Sequence, residues 1–177
     1  MKKIFAIVAL FSLSLLTTTS YAQMSIDKGV KFINAGIGLG GYGGAGGLAF
    51  GAMADFGVAP NITVGGQAAY RSYNYNYAFA GVTDKINFIY FAVRGSYHFN
   101  ELLSLSSDKV DLYAGLGIGY ESVTYSDRFG TGFNAFGSGI YIPAHLGGRY
   151  MFQEKIGGFA ELGSGVSPLM LGVTFKL

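Results

Sequence analysis

Residues that could carry out acid–base chemistry are few in this chain. His98 and His145 are its only histidines, and its 177 residues include no cysteine. Without cysteine the chain has no disulfide, no thiolate metal site and no cysteine nucleophile. A nucleophilic serine placed beside a histidine and a carboxylate is not evident from the spacing, and Ser138 is the nearest candidate. We therefore expect no catalytic residues, no metal site and no cofactor.

A glycine-rich run is the other segment whose composition suggests chemistry. Residues 36–47 read GIGLGGYGGAGG and contain the glycine spacings of a nucleotide-binding loop. Such a loop binds phosphate when it joins a strand to a helix in a βαβ unit, and no such pattern follows here. We interpret the run as the end of a strand followed by an external loop.

The first 22 residues have the three parts of a secretory signal peptide. Lys2 and Lys3 are basic, residues 4–16 are almost entirely apolar, and Ser20 and Ala22 are the small residues that precede a cleavage site. A membrane anchor is the alternative, but an apolar stretch of about 13 residues is shorter than the roughly 20 that span a bilayer. The sequence thus predicts a signal peptide over residues 1–22 and one domain over residues 23–177.

The charge of this domain excludes one class of partner. Removing Lys2 and Lys3 leaves ten basic and ten acidic residues, so the domain is formally neutral. Nucleic-acid-binding domains carry a basic surface, so we expect no nucleic-acid partner. Half of all residues are apolar and 12% are charged, whereas about 25% are charged in a typical soluble domain. This composition argues against a water-soluble protein.

Apolar residues alternate with small or polar ones after residue 23, as they do in strands with one apolar face. Between Val110 and Tyr120, for example, every second residue is apolar or aromatic, and the residues between them are Asp111, Tyr113 and three glycines. The pattern predicts eight strands, which cover residues 31–40, 48–58, 62–74, 86–99, 110–123, 138–152, 156–164 and 168–177. Tight turns and longer connections join them.

Strands of about 10 residues with this alternation are typical of transmembrane β-barrels. A sheet in hydrocarbon must close on itself, because lipid offers its backbone no hydrogen-bond partners. A water-soluble barrel of the lipocalin kind would place its apolar face inside. Charges on one face and aromatic residues at both ends of the other favour the membrane barrel. The predicted aromatic girdle consists of Phe50, Tyr70 and Tyr120 toward the long connections and of Phe56, Tyr97, Phe99, Tyr150 and Phe152 toward the short turns.

The interior of an eight-stranded barrel is a space that side chains can fill. Strand parity predicts that the following residues point inward: Asn34, Gln67, Arg71, Arg94, His98, Glu121, His145, Arg149 and Glu161. Antiparallel pairing about residues 153–155 places Glu161 opposite Gly147, so we predict a contact of Glu161 with Arg149 or His145. We interpret this set as a polar network that fills the barrel. The alternative is a narrow polar pore, for which glycines such as Gly115 and Gly117 would leave room.

The whole domain resembles the small outer-membrane β-barrel proteins of Gram-negative bacteria, the OmpA- and OmpX-like group. The resemblance rests on the signal peptide, on the eight strands and on residues 141–150 (YIPAHLGGRY), 158–163 (GFAELG) and 171–177 (LGVTFKL). It implies an all-β fold, an eight-stranded antiparallel up-and-down transmembrane barrel in the bacterial outer membrane, among lipid and lipopolysaccharide. It also implies that the barrel-assembly machinery reads the last strand, through Val173, Phe175 and Leu177.

The same resemblance suggests a structural or surface-interaction function, in adhesion or envelope integrity. Residues 73–79 and 125–136 combine aromatic and polar residues near the long connections. We interpret them as extended sheet that protrudes into the lipopolysaccharide zone, and the alternative is a recognition surface for an extracellular ligand of unknown identity. Two alternatives remain. One is a narrow pore for small solutes or ions. The other is a lipid A-modifying enzyme, because some barrels of this size acylate or deacylate lipid A with a histidine, a serine and an acidic residue.

Overall fold

The computed structural model describes residues 23–41, 48–77, 82–126, 137–163, 165 and 167–177. The predicted signal peptide and most of the segment 125–136 lie outside these residues. Nine strands are described: β1 (Lys31–Leu39), β2 (Leu48–Ala59), β3 (Ile62–Tyr77), β4 (Val82–His98), β5 (Val110–Ser126), β6 (Gly139–Tyr141), β7 (Ala144–Met151), β8 (Ile156–Leu162) and β9 (Leu169–Lys176). In the described part of the chain, no helix is long and apolar enough to cross a membrane.

The strands form one closed antiparallel sheet. Apart from β6 and β7, strands that follow one another along the chain pair with each other, and β1 also pairs with β9, so that the sheet has no open edge at this junction. Both β6 and β7 pair with β5 in a single register and together make one strand of the barrel. The prediction of an eight-stranded up-and-down barrel is confirmed.

One predicted strand is interrupted and three are longer than predicted. The sequence predicts a continuous strand over residues 138–152, but the ladder breaks at Ile142 and Pro143. Proline has no backbone N–H to donate to the ladder, although the Pro143 carbonyl still accepts a hydrogen bond from Gly117 N at 2.8 Å. Strands β3, β4 and β5 extend three or four residues further toward the long connections than predicted.

The two faces of the sheet differ sharply in polarity. Outward-facing residues at the middle of the strands are mostly apolar, and several are more than half exposed: Phe91, Val93, Leu116, Ile118 and Leu146. A continuous exposed apolar surface is unfavourable in water and fits the hydrocarbon of a bilayer. The inward face carries the buried charged residues, which is the reverse of the lipocalin arrangement.

The two ends of the barrel are distinguished by their connections. One end of the barrel holds the tight turns at residues 60–61 and 152–155 and the 11-residue connection 99–109, together with the start of β1 and the end of β9. The connections at residues 40–47, 78–81, 127–138 and 163–168 lie at the other end. Because outer-membrane barrels place short turns toward the periplasm, we name these the periplasmic end and the outer end.

Candidate functional site in the barrel interior

A network of ion pairs fills the periplasmic half of the interior. Arg94 donates two parallel hydrogen bonds to Glu161, from Nη1 to Oε1 at 3.0 Å and from Nη2 to Oε2 at 2.7 Å. The Tyr113 hydroxyl donates to the same Glu161 Oε2 at 2.9 Å. Arg94 Nε also lies 3.4 Å from Asp55 Oδ1, which joins this pair to a second one.

Arg149 is the centre of the second group. Its Nη1 donates to Asp111 Oδ2 at 2.7 Å, its Nη2 donates to Asp55 Oδ2, and its Nε donates to Asn34 Oδ1 at 3.3 Å. The guanidinium carbon lies 4.4 Å from the ring centre of Phe32 and 4.2 Å from that of Tyr113. All three nitrogens therefore have an acceptor and two aromatic rings pack against the guanidinium, which are the contacts that arginine's planar fork favours.

These two arginines pair with three buried carboxylates. The side chains of Arg94, Arg149, Asp55, Asp111 and Glu161 are each at most 1% exposed. Buried charges of this kind are tolerated when each has a partner of opposite sign, and losing one partner is strongly destabilising. The arrangement therefore holds β2, β4, β5, β7 and β8 together across the interior.

His98 lies in a chain that resembles a catalytic triad in its geometry. Its Nδ1 lies 2.7 Å from Asp111 Oδ1, and its Nε2 lies 3.0 Å from Thr63 Oγ1. A hydroxyl, a histidine and a carboxylate in this order are the elements of nucleophilic catalysis. However, Thr63, His98 and Asp111 are all fully buried, so no substrate reaches the hydroxyl in this conformation. Thr63 is not among the inward residues predicted from the sequence, although its parity on β3 places it on the inward face.

His145 occupies a separate position toward the middle of the barrel. Its Nε2 lies 2.8 Å from Ser96 Oγ, and its ring lies 6.1 Å from the ring of Tyr113. Ser138, the serine considered in the sequence analysis, is exposed and accepts a hydrogen bond from Val123 N at 2.9 Å. The described residues hold no group of three or more histidine, aspartate or glutamate side chains arranged for a metal ion.

Glu161 forms its hydrogen bonds with residues other than Arg149 and His145, the two predicted partners, although the predicted register is right. Glu161 pairs with Gly147 across the β7–β8 ladder, as the turn geometry requires. Its carboxylate bonds to Arg94 and Tyr113, while Arg149 and His145 bind other side chains. The reason is that the inward side chains reach across the narrow barrel to β4 and β5, not only to the neighbouring strand.

An apolar cluster lies against the ion-pair network and extends through the outer half of the interior, where polar residues were predicted. Its buried members are Ala49, Met53, Ala69, Ile86, Phe88, Tyr90, Phe159 and Met170. Two of the predicted polar residues border it: Arg71 lies 4.5 Å over the ring of Phe88, and the half-buried Glu121 faces Tyr90 and Arg71. Gln67 is also buried. Strand parity is sufficient to place the apolar residues of β3 and β4 inside, because they lie on the same face of these strands as Arg71 and Arg94.

The space beside the inward glycines is occupied by neighbouring side chains. A methyl group added at Gly147 would lie 2.4 Å from Tyr113 Cζ, and one at Gly115 would lie 2.7 Å from His145 Nε2. Gly36 similarly faces Phe159 at 2.9 Å. These glycines let large side chains approach the opposite wall closely. Among the described residues, the glycine-lined faces therefore provide room for packing.

The aromatic girdle and the last strand lie on the lipid-facing surface. Of the predicted girdle residues, Phe99 is half-buried just beyond β4, and the others are exposed: Phe50, Phe56, Tyr70, Tyr97, Tyr120, Tyr150 and Phe152. Near the periplasmic end the rings of Tyr97 and Phe99 lie 5.2 Å apart. The three residues of the predicted assembly signal, Val173, Phe175 and Leu177, are exposed on or just after β9.

Solved structures with the same architecture are known. OprG from Pseudomonas aeruginosa is 15% identical, with a TM-score of 0.62 over 88% of this chain and 99% of that one. Ail from Yersinia pestis is 16% identical, with a TM-score of 0.52 over 85% of this chain and 100% of that one. A designed transmembrane β-barrel is 15% identical, with a TM-score of 0.52 over 87% of this chain and 100% of that one. No protein-family model and no curated protein sequence matches. The chain therefore has the fold of the small outer-membrane β-barrels.

Proposed function

We propose that this protein is an outer-membrane barrel with a structural or surface-interaction role and an interior that does not conduct solutes. One observation carries the proposal: side chains fill the barrel in both halves. The Arg94–Glu161 and Arg149–Asp111 pairs occupy the periplasmic half, and the apolar cluster around Phe88 occupies the outer half. Conduction would require both groups to rearrange together.

Planar-bilayer recordings test the closed interior. We expect purified protein to give no stable single-channel current. Phe88 lies in the lumen and Phe91 faces lipid. A stable single-channel current would overturn the proposal if its conductance changes in Phe88→Ala and stays the same in Phe91→Ala. This pair of variants separates conduction through the barrel from leakage around it.

We also propose that the barrel has no catalytic activity. The Thr63–His98–Asp111 chain is the best candidate for a nucleophile and its base, and its complete burial argues against a substrate binding there. Mass spectrometry of lipid A from cells with and without the protein provides the test. An altered acyl pattern that disappears in His98→Gln would assign lipid A chemistry to this group and overturn the proposal.

The surface-interaction role concerns the outer end of the barrel. Strands β3, β4 and β5 are the longest, so this side of the barrel extends furthest toward the long connections. A deletion strain should be compared with the wild type in membrane permeability, adhesion and complement sensitivity. Complementation by a chain in which residues 127–136 are replaced by glycine and serine separates the two roles. Adhesion would be lost while permeability stays normal if the protein acts through its surface.

A further inference from the structure

The residues ahead of β1 cross the periplasmic end of the barrel. We name residues 23–30 the N-terminal strap. Met24 and Ile26 are buried, with 4% and 1% of their surfaces exposed, and they pack against Phe32 and Met151. Gln23 and Asp27 on the other face of the strap are exposed. The strap therefore places two apolar side chains into the mouth and leaves its polar ones outside.

Four backbone hydrogen bonds join the strap to three separate parts of the barrel. Met24 N donates to the carbonyl of Ser107, in the β4–β5 connection, at 3.3 Å. The carbonyl of Ile26 accepts a hydrogen bond from Asn61 N, in the β2–β3 turn, at 2.8 Å. Gly29 N and Val30 O bond to Gly57 on β2 at 2.9 and 2.7 Å.

Gly57 is needed for the close approach of the strap. A methyl group there would lie 2.1 Å from Asp27 O. Any side chain at this position would therefore push the strap away from β2.

Asn100 connects the strap to the ion-pair network beneath it. Its Nδ2 lies 3.1 Å from Met24 O and 3.1 Å from Asp111 Oδ1, and its Oδ1 accepts a hydrogen bond from Leu112 N at 2.8 Å. Asp111 in turn binds His98 and Arg149. The strap thus covers the periplasmic side of the buried charges, and Asn100 marks where the two meet.

Strap and barrel differ in how firmly they are held. In the barrel each strand is bonded to a neighbour on both sides when β6 and β7 are counted as one strand. The strap is held by three apolar side chains (Met24, Ile26 and Val30), four backbone bonds and Asn100. On one side it borders a cleft of about 760 Å³ that reaches to Glu154 and Lys109. Segments with few buried contacts open locally, before the whole fold does.

We propose that the N-terminal strap is a displaceable seal, which separates the buried Thr63–His98–Asp111 group from periplasmic water while the strands stay in place. The apolar cluster closes the outer half independently, so displacing the strap exposes the network without making a channel. The labelling experiment separates the two claims: if the strap cannot be displaced, this inference fails, while the closed interior of the proposed function stands.

Cysteine accessibility tests the seal directly, because the natural chain contains no cysteine. Thr63→Cys places a reporter thiol in the buried group, and a small methanethiosulfonate reagent measures its exposure in folded, detergent-solubilised protein. The strap is displaced by Ile26→Asp, which introduces a charge at a buried position. Lys28→Ala is the matched control, since Lys28 is an exposed strap residue.

We expect the thiol of Thr63→Cys to be labelled at least about tenfold faster when Ile26→Asp is also present than in Thr63→Cys alone. With Lys28→Ala in place of Ile26→Asp, the labelling rate should equal that of Thr63→Cys alone. Met170→Cys reports on the outer half, where Met170 is fully buried, and should stay protected in all three backgrounds. Equal labelling of Thr63→Cys with and without Ile26→Asp would overturn the proposal. Faster labelling of Met170→Cys in Ile26→Asp would also overturn it, because the whole barrel would then be loosened.

Discussion

Arg149 is the side chain whose loss should cost the barrel most. Arg149→Met would leave Asp55 and Asp111 buried without the guanidinium that binds both. We expect the free energy of unfolding to fall by about 3–5 kcal/mol, which is typical when one partner of a buried pair is removed. Equilibrium urea unfolding in detergent micelles measures it. Lys155→Met, in the exposed β7–β8 turn, is the control and should change stability by less than about 0.5 kcal/mol. Equal losses in the two variants would contradict this role for Arg149.

Gly147 shows how a single position without a side chain admits a large neighbour. In Gly147→Ala the new methyl group would meet the Tyr113 ring, which also bonds Glu161 and stacks on Arg149. We expect a loss of about 1–3 kcal/mol in the same unfolding assay, as for other overpacked cores. Gly66→Ala is the matched control, because its methyl group would have Ala92 O as its only neighbour within 4 Å, at 3.8 Å. The interpretation fails if both alanines are tolerated equally.

Strand elements were largely predictable from the sequence, because their period of two depends on local residues. The short turns also fixed register, and Glu161 lies opposite Gly147 as predicted. The break at Pro143 shows where local pattern was insufficient: the apolar alternation continues through it, but the missing N–H interrupts the ladder. The strap was not recognised either, since Met24 and Ile26 alternate over too few residues to indicate an element.

The expected recognition of strand β9 by the barrel-assembly machinery can be tested at Phe175. If the barrel-assembly machinery reads this strand, Phe175→Ala should lower the amount of folded protein in the outer membrane several-fold, with unfolded chain accumulating in the periplasm. Refolding of purified Phe175→Ala into micelles should remain normal, which separates recognition from stability. Phe152→Ala, another exposed aromatic at the periplasmic end, is the control. Equal membrane levels for the two variants would argue against a signal centred on Phe175.

At the scale of the whole molecule, partners across the interior could not be predicted from the sequence. Parity tells which face a side chain occupies, but the bond between Arg94 on β4 and Glu161 on β8 depends on the diameter and curvature of the closed sheet. The same applies to the separation of the interior into a charged periplasmic half and an apolar outer half. Both groups use residues of one parity, and position along a strand does not by itself decide the group, because Phe159 of the apolar cluster lies nearer the periplasmic end of β8 than Glu161 does.

The orientation of the whole barrel, with its apolar face toward lipid, leads to a last prediction. Leu116 is 63% exposed at the middle of β5, between Tyr120 toward the outer end and Tyr97 toward the periplasmic end. If lipid surrounds the barrel, Leu116→Arg places a charge near the bilayer midplane and should cost about 2–4 kcal/mol in unfolding from liposomes. Leu102→Arg, in the exposed β4–β5 connection, should cost almost nothing, although Leu102 is exposed to a similar degree. In a water-soluble barrel both residues would face water and both arginines would be tolerated, so equal stabilities would contradict the transmembrane arrangement.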